Sequence, residues 1–114
     1  MTATHPRHDL DALLTNPVRL SIVAILAGVD RAEFALVRDA VEITDAMLSK
    51  QVALLEDAGY VDVDKGRVGR RTRTWLRLAP LGQEAYDRHV RALQALLRPQ
   101  TDAGPSASRR GTDR

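Results

Sequence analysis

The spacing of the apolar residues changes at Gly59, and this change limits the fold more than any other feature of the sequence. Before Gly59, apolar residues recur every three or four positions, which is typical of amphipathic helices. After it, Val61 and Val63 alternate with acids, and a second alternating run covers residues 72–78. Two strands around a glycine-containing turn, Lys65–Arg71, predict a β-hairpin. Helical spacing then returns, so the hairpin is followed by a long closing helix.

Four helices are predicted before the hairpin. The first is short and ends near Thr15, with three leucines on its apolar face: Leu10, Leu13 and Leu14. The second begins with Asn16 as the N-cap and Pro17 at the first helical position, and Gly28 ends it. Asparagine and proline are favoured there because the first helical N–H groups lack partners within the helix.

The third and fourth predicted helices are joined by a tight connection. One contains Phe34, Val37 and Val41 at helical spacing, and the other is capped by Thr44 and ended by Ala58-Gly59. Two short helices joined in this way are typical of a helix-turn-helix. A hairpin directly after them predicts a winged helix-turn-helix, a mainly α fold with a β-hairpin wing.

Positive charge is concentrated in the hairpin. Residues 1–64 contain 5 bases and 11 acids, whereas residues 65–78 contain 6 bases and no acid. A run of bases is often only a solvated surface, but bases interleaved with Gly66 and Gly69 favour a loop that contacts phosphates. We therefore expect the hairpin to face nucleic acid.

Several other classes of protein fit the sequence poorly. The chain has no cysteine, which excludes disulfides and thiolate metal sites and is consistent with a reducing cytoplasm. No apolar run reaches the roughly 18–20 residues of a membrane span, no secretory signal is visible, and no nucleotide-binding or nucleophile motif occurs. His5 and His8 beside Asp9 have a spacing that metal sites use, but we expect no metal, no cofactor and no enzymatic activity. His89 is read as a histidine on a helix surface.

The domain is expected to cover residues 9–98. Residues 1–8 are expected to be a flexible N-terminus. Residues 99–114 have no aliphatic side chain larger than alanine and are rich in Gly, Pro, Ser, Thr and Arg, so we expect a disordered tail.

Three segments resemble bacterial winged-helix regulators of the MarR and ArsR types. NPVRLSIVAIL is similar to their opening core helix, and ITDAMLSKQVALLEDAGYVDV is similar to their recognition helix and first wing strand. VGRRTRTWLRLAPLGQEAYDRHVRALQALL resembles the wing and last helix of the small MarR-like group. The chain departs from these families in lacking the paired cysteines of ArsR-type metal sensors. It also has Glu42 where glycine is common, and Ala79 where a capping threonine is usual.

The resemblance and the charge pattern together predict a DNA-binding transcriptional regulator, and more specifically a repressor. The recognition helix would lie in the major groove, where its outward side chains meet base edges. The expected contacts of this helix are Thr44, Asp45, Ala46, Met47, Ser49, Lys50, Gln51 and Ala53. The expected contacts of the wing, on the minor groove or on phosphates, are Lys65, Arg67, Arg70, Arg71 and Arg73. Core packing remains an open alternative for Met47, and capping of the helix N-terminus remains one for Asp45. A cross-strand pair with Asp62 or Asp64 is the alternative for Arg73, and it is favoured for Arg77.

Two apolar stripes exceed what a small winged helix needs for its own core. One is on the first predicted helix and the other is on the last. The residues expected in a symmetric dimer interface are Leu10, Leu13, Leu14, Tyr86, Val90, Leu93 and Leu97. The resemblance implies the same arrangement, with two wings on a pseudo-palindromic operator in double-stranded DNA. The alternatives are a winged helix that binds protein rather than DNA, and a sensor with a small-molecule pocket between the dimer helix and the wing; the sequence identifies no effector.

Overall fold

In the computed structural model, which describes residues 4–99, the last helix before the hairpin ends just ahead of Gly59 and the hairpin follows it. The elements are, in order, a 3-10 helix Pro6–Asp9, α1 Pro17–Ala27, β1 Ala32–Glu33, α2 Phe34–Val41, α3 Asp45–Asp57, β2 Val61–Val68, β3 Arg71–Leu78 and α4 Pro80–Leu97. This is the winged helix-turn-helix that the sequence predicts. The tail expected to be disordered lies outside the described residues beyond Pro99.

The prediction of a first helix that ends near Thr15 is wrong. The 3-10 helix Pro6–Asp9 packs on α4, and residues 12–15 form hydrogen-bonded turns. The carboxylate of Asp11 organises these turns because its Oδ1 accepts from the backbone N–H groups of Leu13 and Leu14, at 2.9 and 3.3 Å. A short aspartate side chain that bonds to the following backbone competes with a helix. Residues 6–8, which we expected to be flexible, belong to this anchored N-terminal part.

The expectation that Leu14 lies in a dimer interface is wrong. Its side chain is 0% exposed and lies in the core of the monomer, so it has no surface to offer a second chain. The fully buried side chains around it come from every layer of the fold. The largest of them are Ile22, Leu26, Leu48, Leu55 and Leu76.

The helix termini follow the predicted capping residues. The Oδ1 of Asn16 accepts from the N–H groups of Val18 and Arg19 at 2.9 and 3.0 Å. At the end of α3, Tyr60 N–H donates to the Leu55 carbonyl, and Gly59 N–H donates to the Glu56 carbonyl, both at 2.9 Å. With Gly59 at φ 81°, these bonds form a Schellman motif that turns the chain into the hairpin.

The sheet has a third strand that the sequence analysis missed. The order is β1-β3-β2, with Ala32 opposite Leu76 and Glu33 opposite Trp75. Two residues are too few to show an alternating pattern, so no sequence signal marks β1. The predicted turn Lys65–Arg71 is also too long, because β2 continues to Val68 and only Gly69 and Arg70 connect the strands.

The start of α4 is packed closely against the entry to β2. Ala79 N–H donates to the Tyr60 carbonyl at 2.9 Å. A Cβ added to Gly82 would lie 2.2 Å from the same carbonyl oxygen, so only glycine fits. This contact fixes the root of the wing to the closing helix. As expected, Ala79 provides no side-chain cap.

Candidate DNA interface

The start of the recognition helix α3 is fixed by its cap and by α2. The Thr44 Oγ1 accepts from Met47 N–H at 3.1 Å, which confirms Thr44 as the N-cap. Arg38 donates through Nη1 to Asp45 at 2.9 Å and through Nε to Asp39 at 2.8 Å. The hydrogen bond from Arg38 lowers the pKa of the Asp39 carboxyl. Asp45 therefore lies at the first turn of α3 and is paired with Arg38, an arginine that the sequence analysis did not single out.

The turn between α2 and α3 uses a residue that rarely adopts its conformation. Glu42 has φ 63° and ψ 50°, in the left-handed region that favours glycine. Its N–H donates to the Asp39 carbonyl, and the N–H of Ile43 donates to the Arg38 carbonyl, both at 3.2 Å. The turn is thus a second Schellman motif, and it holds the non-glycine residue Glu42 in a strained, left-handed backbone conformation.

The two faces of α3 are clearly different. Leu48, Val52 and Leu55 are buried. Ala46, Ser49, Lys50 and Ala53 are exposed, and Met47 is partly exposed at 40%. This exposed face could meet base edges in a groove.

Gln51 does not belong to the exposed face. Its side chain is only 7% exposed, and its Oε1 accepts from Arg19 Nη1 at 2.8 Å. Its Nε2 donates to the Met47 sulfur at 3.3 Å. The expectation that Gln51 could bond to a base is therefore wrong, because both ends of the amide are used inside the protein.

The wing tip is a two-residue turn that exposes several bases. Gly69 has φ 65° and Arg70 has a negative φ, which is the type II′ pattern of tight hairpins. Lys65, Arg67, Arg70 and Arg71 are all exposed, and none of them forms an ion pair with an acid within residues 4–99. Their charges are available to a ligand.

The outer face of the hairpin uses its remaining bases internally. Arg73 pairs with Glu33 of β1, an acid the sequence analysis did not propose as its partner. Arg77 lies 3.8 Å from Asp62, the cross-strand pair that was favoured for it. Trp75 is covered by the guanidinium of Arg31, 4.0 Å from the ring centroid, rather than by a wing arginine. Because Glu33 already pairs with it, Arg73 is the expected wing contact that is least available to a ligand.

Two clefts border the wing. One of about 300 Å³ lies between α3 and the hairpin, with a rim that includes Ser49, Ala53 and Lys65. The other, of about 470 Å³, lies between the start of α2 and β3 and includes Arg71 and Arg73. Neither cleft includes a residue of α4. The alternative of a small-molecule pocket places it between that helix and the wing.

The terminal elements leave an apolar stripe partly uncovered. The inner face of α4 consists of Gly82, Ala85, His89 and Ala92. The adjacent face carries the expected interface residues: Tyr86, Val90 and Leu93 are half-buried, and Leu97 is 79% exposed. Leu10 and Leu13 are also half-buried.

His89 is buried rather than superficial, so the reading of it as a surface histidine is wrong. The ring is 1% exposed, and its Nδ1 accepts from Asp11 N–H at 2.9 Å. Burial lowers the pKa of His89 against the opposing effects of the Asp11 charge and a hydrogen bond with the Leu14 backbone. The phenol of Tyr60 donates to Asp11 Oδ2 at 2.6 Å, which raises the pKa of Tyr60 to about 12.

Two other kinds of site were searched for in the described part of the chain. Residues 4–99 contain no group of three or more His, Cys, Asp or Glu side chains arranged to hold a metal ion. Among the same residues, no helix is both long and apolar enough to cross a bilayer.

Comparison with known proteins defines the class. The family model described as "Winged helix DNA-binding domain" matches residues 18–97, and the chain belongs to that family. The structure is similar to that of a transcriptional regulator homologue from Pyrococcus horikoshii, with a TM-score of 0.72 and 27% identity, over 79% of this chain and 90% of that one. The sequence is 26% identical to an uncharacterized protein of Methanocaldococcus jannaschii, over 68% of this chain and 85% of that protein.

The structural neighbours include MarR-family regulators. A zinc-responsive MarR family member from Lactococcus lactis has a TM-score of 0.56 and 17% identity, over 71% of this chain and 55% of that one. At this identity the likeness concerns the fold. Together with the family match, it identifies a DNA-binding transcriptional regulator with a MarR-like winged helix.

Proposed function

We propose that the protein represses transcription as a homodimer bound to a pseudo-palindromic operator. The proposal is carried by the four wing bases that form no ion pair within residues 4–99, on a hairpin whose Lys65 shares a cleft with Ser49 and Ala53 of the exposed face of α3. Most of the remaining surface charge before the wing is acidic, which favours one orientation on a polyanion. A dimer bound in this way would occlude promoter DNA, and it would act in the cytoplasm, with the chromosome.

Within this complex, α3 would lie in the major groove. Lys50 is long enough to donate to guanine or to a phosphate, Ser49 can bond to a base, and Met47 can contact a thymine methyl group. Thr44, Asp45 and the two small residues Ala46 and Ala53 would line the approach to the duplex. Small side chains there let the helix backbone come close to the bases.

The wing would contact the adjacent backbone or minor groove. Arg70 lies at the turn, with Arg67 and Arg71 on the strands beside it and Lys65 nearer to α3. Phosphate contacts of this kind position the protein and add affinity without reading sequence. Arg73 would contribute less, because Glu33 already balances its charge.

Selection of binding sites from random duplexes, followed by a salt titration, tests the proposal. A repressor of this type should enrich an inverted repeat, and its affinity should fall steeply with salt because bound phosphates release counterions. If the wild-type protein shows no salt-sensitive binding to any duplex, the proposal is wrong. The alternative of a winged helix that binds another protein would then replace it.

The dimer is tested separately by sedimentation. Val90→Asp combined with Leu93→Asp places two charges in the stripe of α4 and should give a monomer. Arg91→Asp is a matched control, because it changes the net charge by the same amount at an exposed position outside the stripe. A wild-type monomer at tens of micromolar protein, or a double variant that remains dimeric, would contradict the proposed interface.

A further inference from the structure

The recognition helix contains one polar side chain on its inner face. Gln51 lies between the buried Leu48 and Leu55 positions of α3, where most neighbours are apolar. A buried amide without partners is costly, so its hydrogen bonds are required for this packing. Arg19 of α1 supplies the bond to its carbonyl oxygen at 2.8 Å.

Arg19 also reaches the N-terminal segment. Its Nε donates to the Leu13 carbonyl at 2.7 Å, while its Nη1 donates to Gln51. Both bonds are charge-assisted and short, and a planar guanidinium holds the two acceptors at a fixed separation. A lysine ammonium is a point donor and cannot reproduce this fork.

The segment that Arg19 contacts is itself firmly held. Asp11 accepts from Leu13 N–H, from Leu14 N–H and from the Tyr60 phenol, and its own N–H donates to His89 of α4. A continuous set of polar contacts therefore leads from α4 through Asp11, Leu13 and Arg19 to Gln51. It ends at Met47, on the exposed side of the helix.

We infer that Arg19 is a positioning residue for base recognition: it fixes the rotation of α3 through Gln51 and sets the side chain of Met47. Leu48, Val52 and Leu55 hold α3 to the core through apolar, non-directional contacts that resist separation more than rotation, and the Arg38–Asp45 pair acts only at the exposed first turn of the helix. Hydrogen bonds lose strength steeply with angle, so the Arg19–Gln51 bond resists rotation directly. This inference rests on the proposed function, because it assumes that α3 reads bases.

The test compares Arg19→Lys with Arg77→Lys. Both variants keep the charge, but only the first removes the fork, since Arg77 is an exposed arginine paired with Asp62. For Arg19→Lys, the ratio of affinities for the selected site and for a random duplex should fall by about three- to tenfold, the equivalent of one hydrogen bond. The salt dependence should not change, because no phosphate contact is lost. Arg77→Lys should leave the ratio unchanged.

A second pair of variants separates positioning from folding. Gln51→Leu removes the acceptor and should reduce the ratio as Arg19→Lys does, whereas Gln51→Glu keeps an acceptor for Arg19 and should retain most of it. Thermal unfolding of all four variants measures the purely structural effect. Loss of stability with an unchanged ratio would show that Arg19 only supports the fold, and would overturn the inference.

The measurements also show whether the positioning role of Arg19 fails or the proposed DNA-binding function fails. If the wild-type protein does not discriminate between duplexes, the proposed function fails. If the wild-type protein discriminates and Arg19→Lys discriminates equally well, only the positioning role fails.

Discussion

The recognition helix and the outer half of the wing both expose groups that DNA binding needs, but the fold holds them very differently. α3 is capped by Thr44, tied to α2 through Arg38, tied to α1 through Arg19, and buried along one face. Within residues 4–99 the wing tip is held by strand pairing, and its bases are exposed to solvent. Base recognition needs precise hydrogen-bond geometry, whereas attraction to phosphates falls slowly with distance. The firmly held α3 is therefore suited to recognising the base sequence, and the wing tip is suited to adding affinity for any DNA.

The largest effect on stability is expected where the start of α4 packs against the entry to β2. Gly82→Ala places a Cβ 2.2 Å from the Tyr60 carbonyl oxygen, and neither backbone can move freely. Overpacking of this kind should cost about 3 kcal/mol in the free energy of unfolding, measured by urea denaturation. Gly66→Ala is the matched control, because it meets nothing within 4 Å and has no positive φ. We expect it to change stability by less than about 0.5 kcal/mol.

A comparable loss from Gly66→Ala would contradict the contrast between the two regions. It would mean that the outer wing is packed against something in solution. A second chain or the residues beyond 99 would then be candidates, and truncation after Arg98 would identify the latter.

The next largest effect concerns the different contributions of the wing and of α3 to DNA binding. The wing should contribute affinity, and α3 should contribute discrimination between sequences. Arg70→Ala combined with Arg71→Ala should weaken binding to selected and random duplexes nearly equally. The slope of log affinity against log salt should decrease by about 2 for each protein chain in the complex, one for each lost phosphate contact. Lys50→Ala should instead narrow the gap between the two duplexes, by about 1–3 kcal/mol if the lost contact was a good base contact. Fluorescence anisotropy at several salt concentrations measures both.

Two results would revise this division. If the wing variants lose preference only for sites with A·T-rich flanks, the wing reads the width of the minor groove. If Lys50→Ala weakens all duplexes equally, Lys50 contacts a phosphate, and sequence choice rests on other residues of α3.

Acidification should destabilise the contact between α4 and the N-terminal segment at His89 while leaving the wing charges in place. Burial lowers the pKa of His89 in the folded protein, so the unfolded chain binds this proton more readily, with an ordinary pKa near 6.5. The stabilisation is therefore complete above about pH 6.5, decreases as the pH falls through that value, and levels off below the pKa of the folded state. His89→Asn retains an acceptor for Asp11 N–H without titrating there. The difference in unfolding free energy between wild type and variant should become less favourable to wild type from pH 7 to pH 5, and a constant difference would contradict the role of His89.

The sequence predicts the architecture well because the main signals are local. Spacing of apolar residues identifies α1 to α4 and the hairpin, and Asn16, Thr44 and Gly59 mark helix ends through backbone hydrogen bonds a few residues away. The two-residue strand β1 and the turns around Asp11 escape prediction. Their partners lie far away in the chain, as in the 78-residue separation between Asp11 and His89.

The site is predicted less well, for a related reason. Arginine and glutamine are usually exposed, and nothing in their spacing reveals that Arg19 and Gln51 meet across 32 residues. The same applies to Arg73 and Glu33, which are brought together only because β1 joins the sheet. Charge counts identify the wing as a basic surface, but only the folded structure shows which bases remain unpaired.

The smallest effect is expected at the turn between α2 and α3. Glu42 adopts φ 63°, so Glu42→Gly removes the strain of a left-handed residue, although glycine also makes the unfolded chain more flexible. The net result should be a gain of about 0.5 kcal/mol in unfolding free energy, measured by urea denaturation. Gly59→Ala, at the equivalent position after α3 with φ 81°, should change stability in the opposite direction. Discrimination between duplexes should be unchanged in Glu42→Gly, because the backbone bonds of the turn and the ties through Arg38 and Arg19 remain. A loss of discrimination without a loss of stability would show that the turn itself orients α3, and that its rigidity depends on the strained residue rather than on the two arginines.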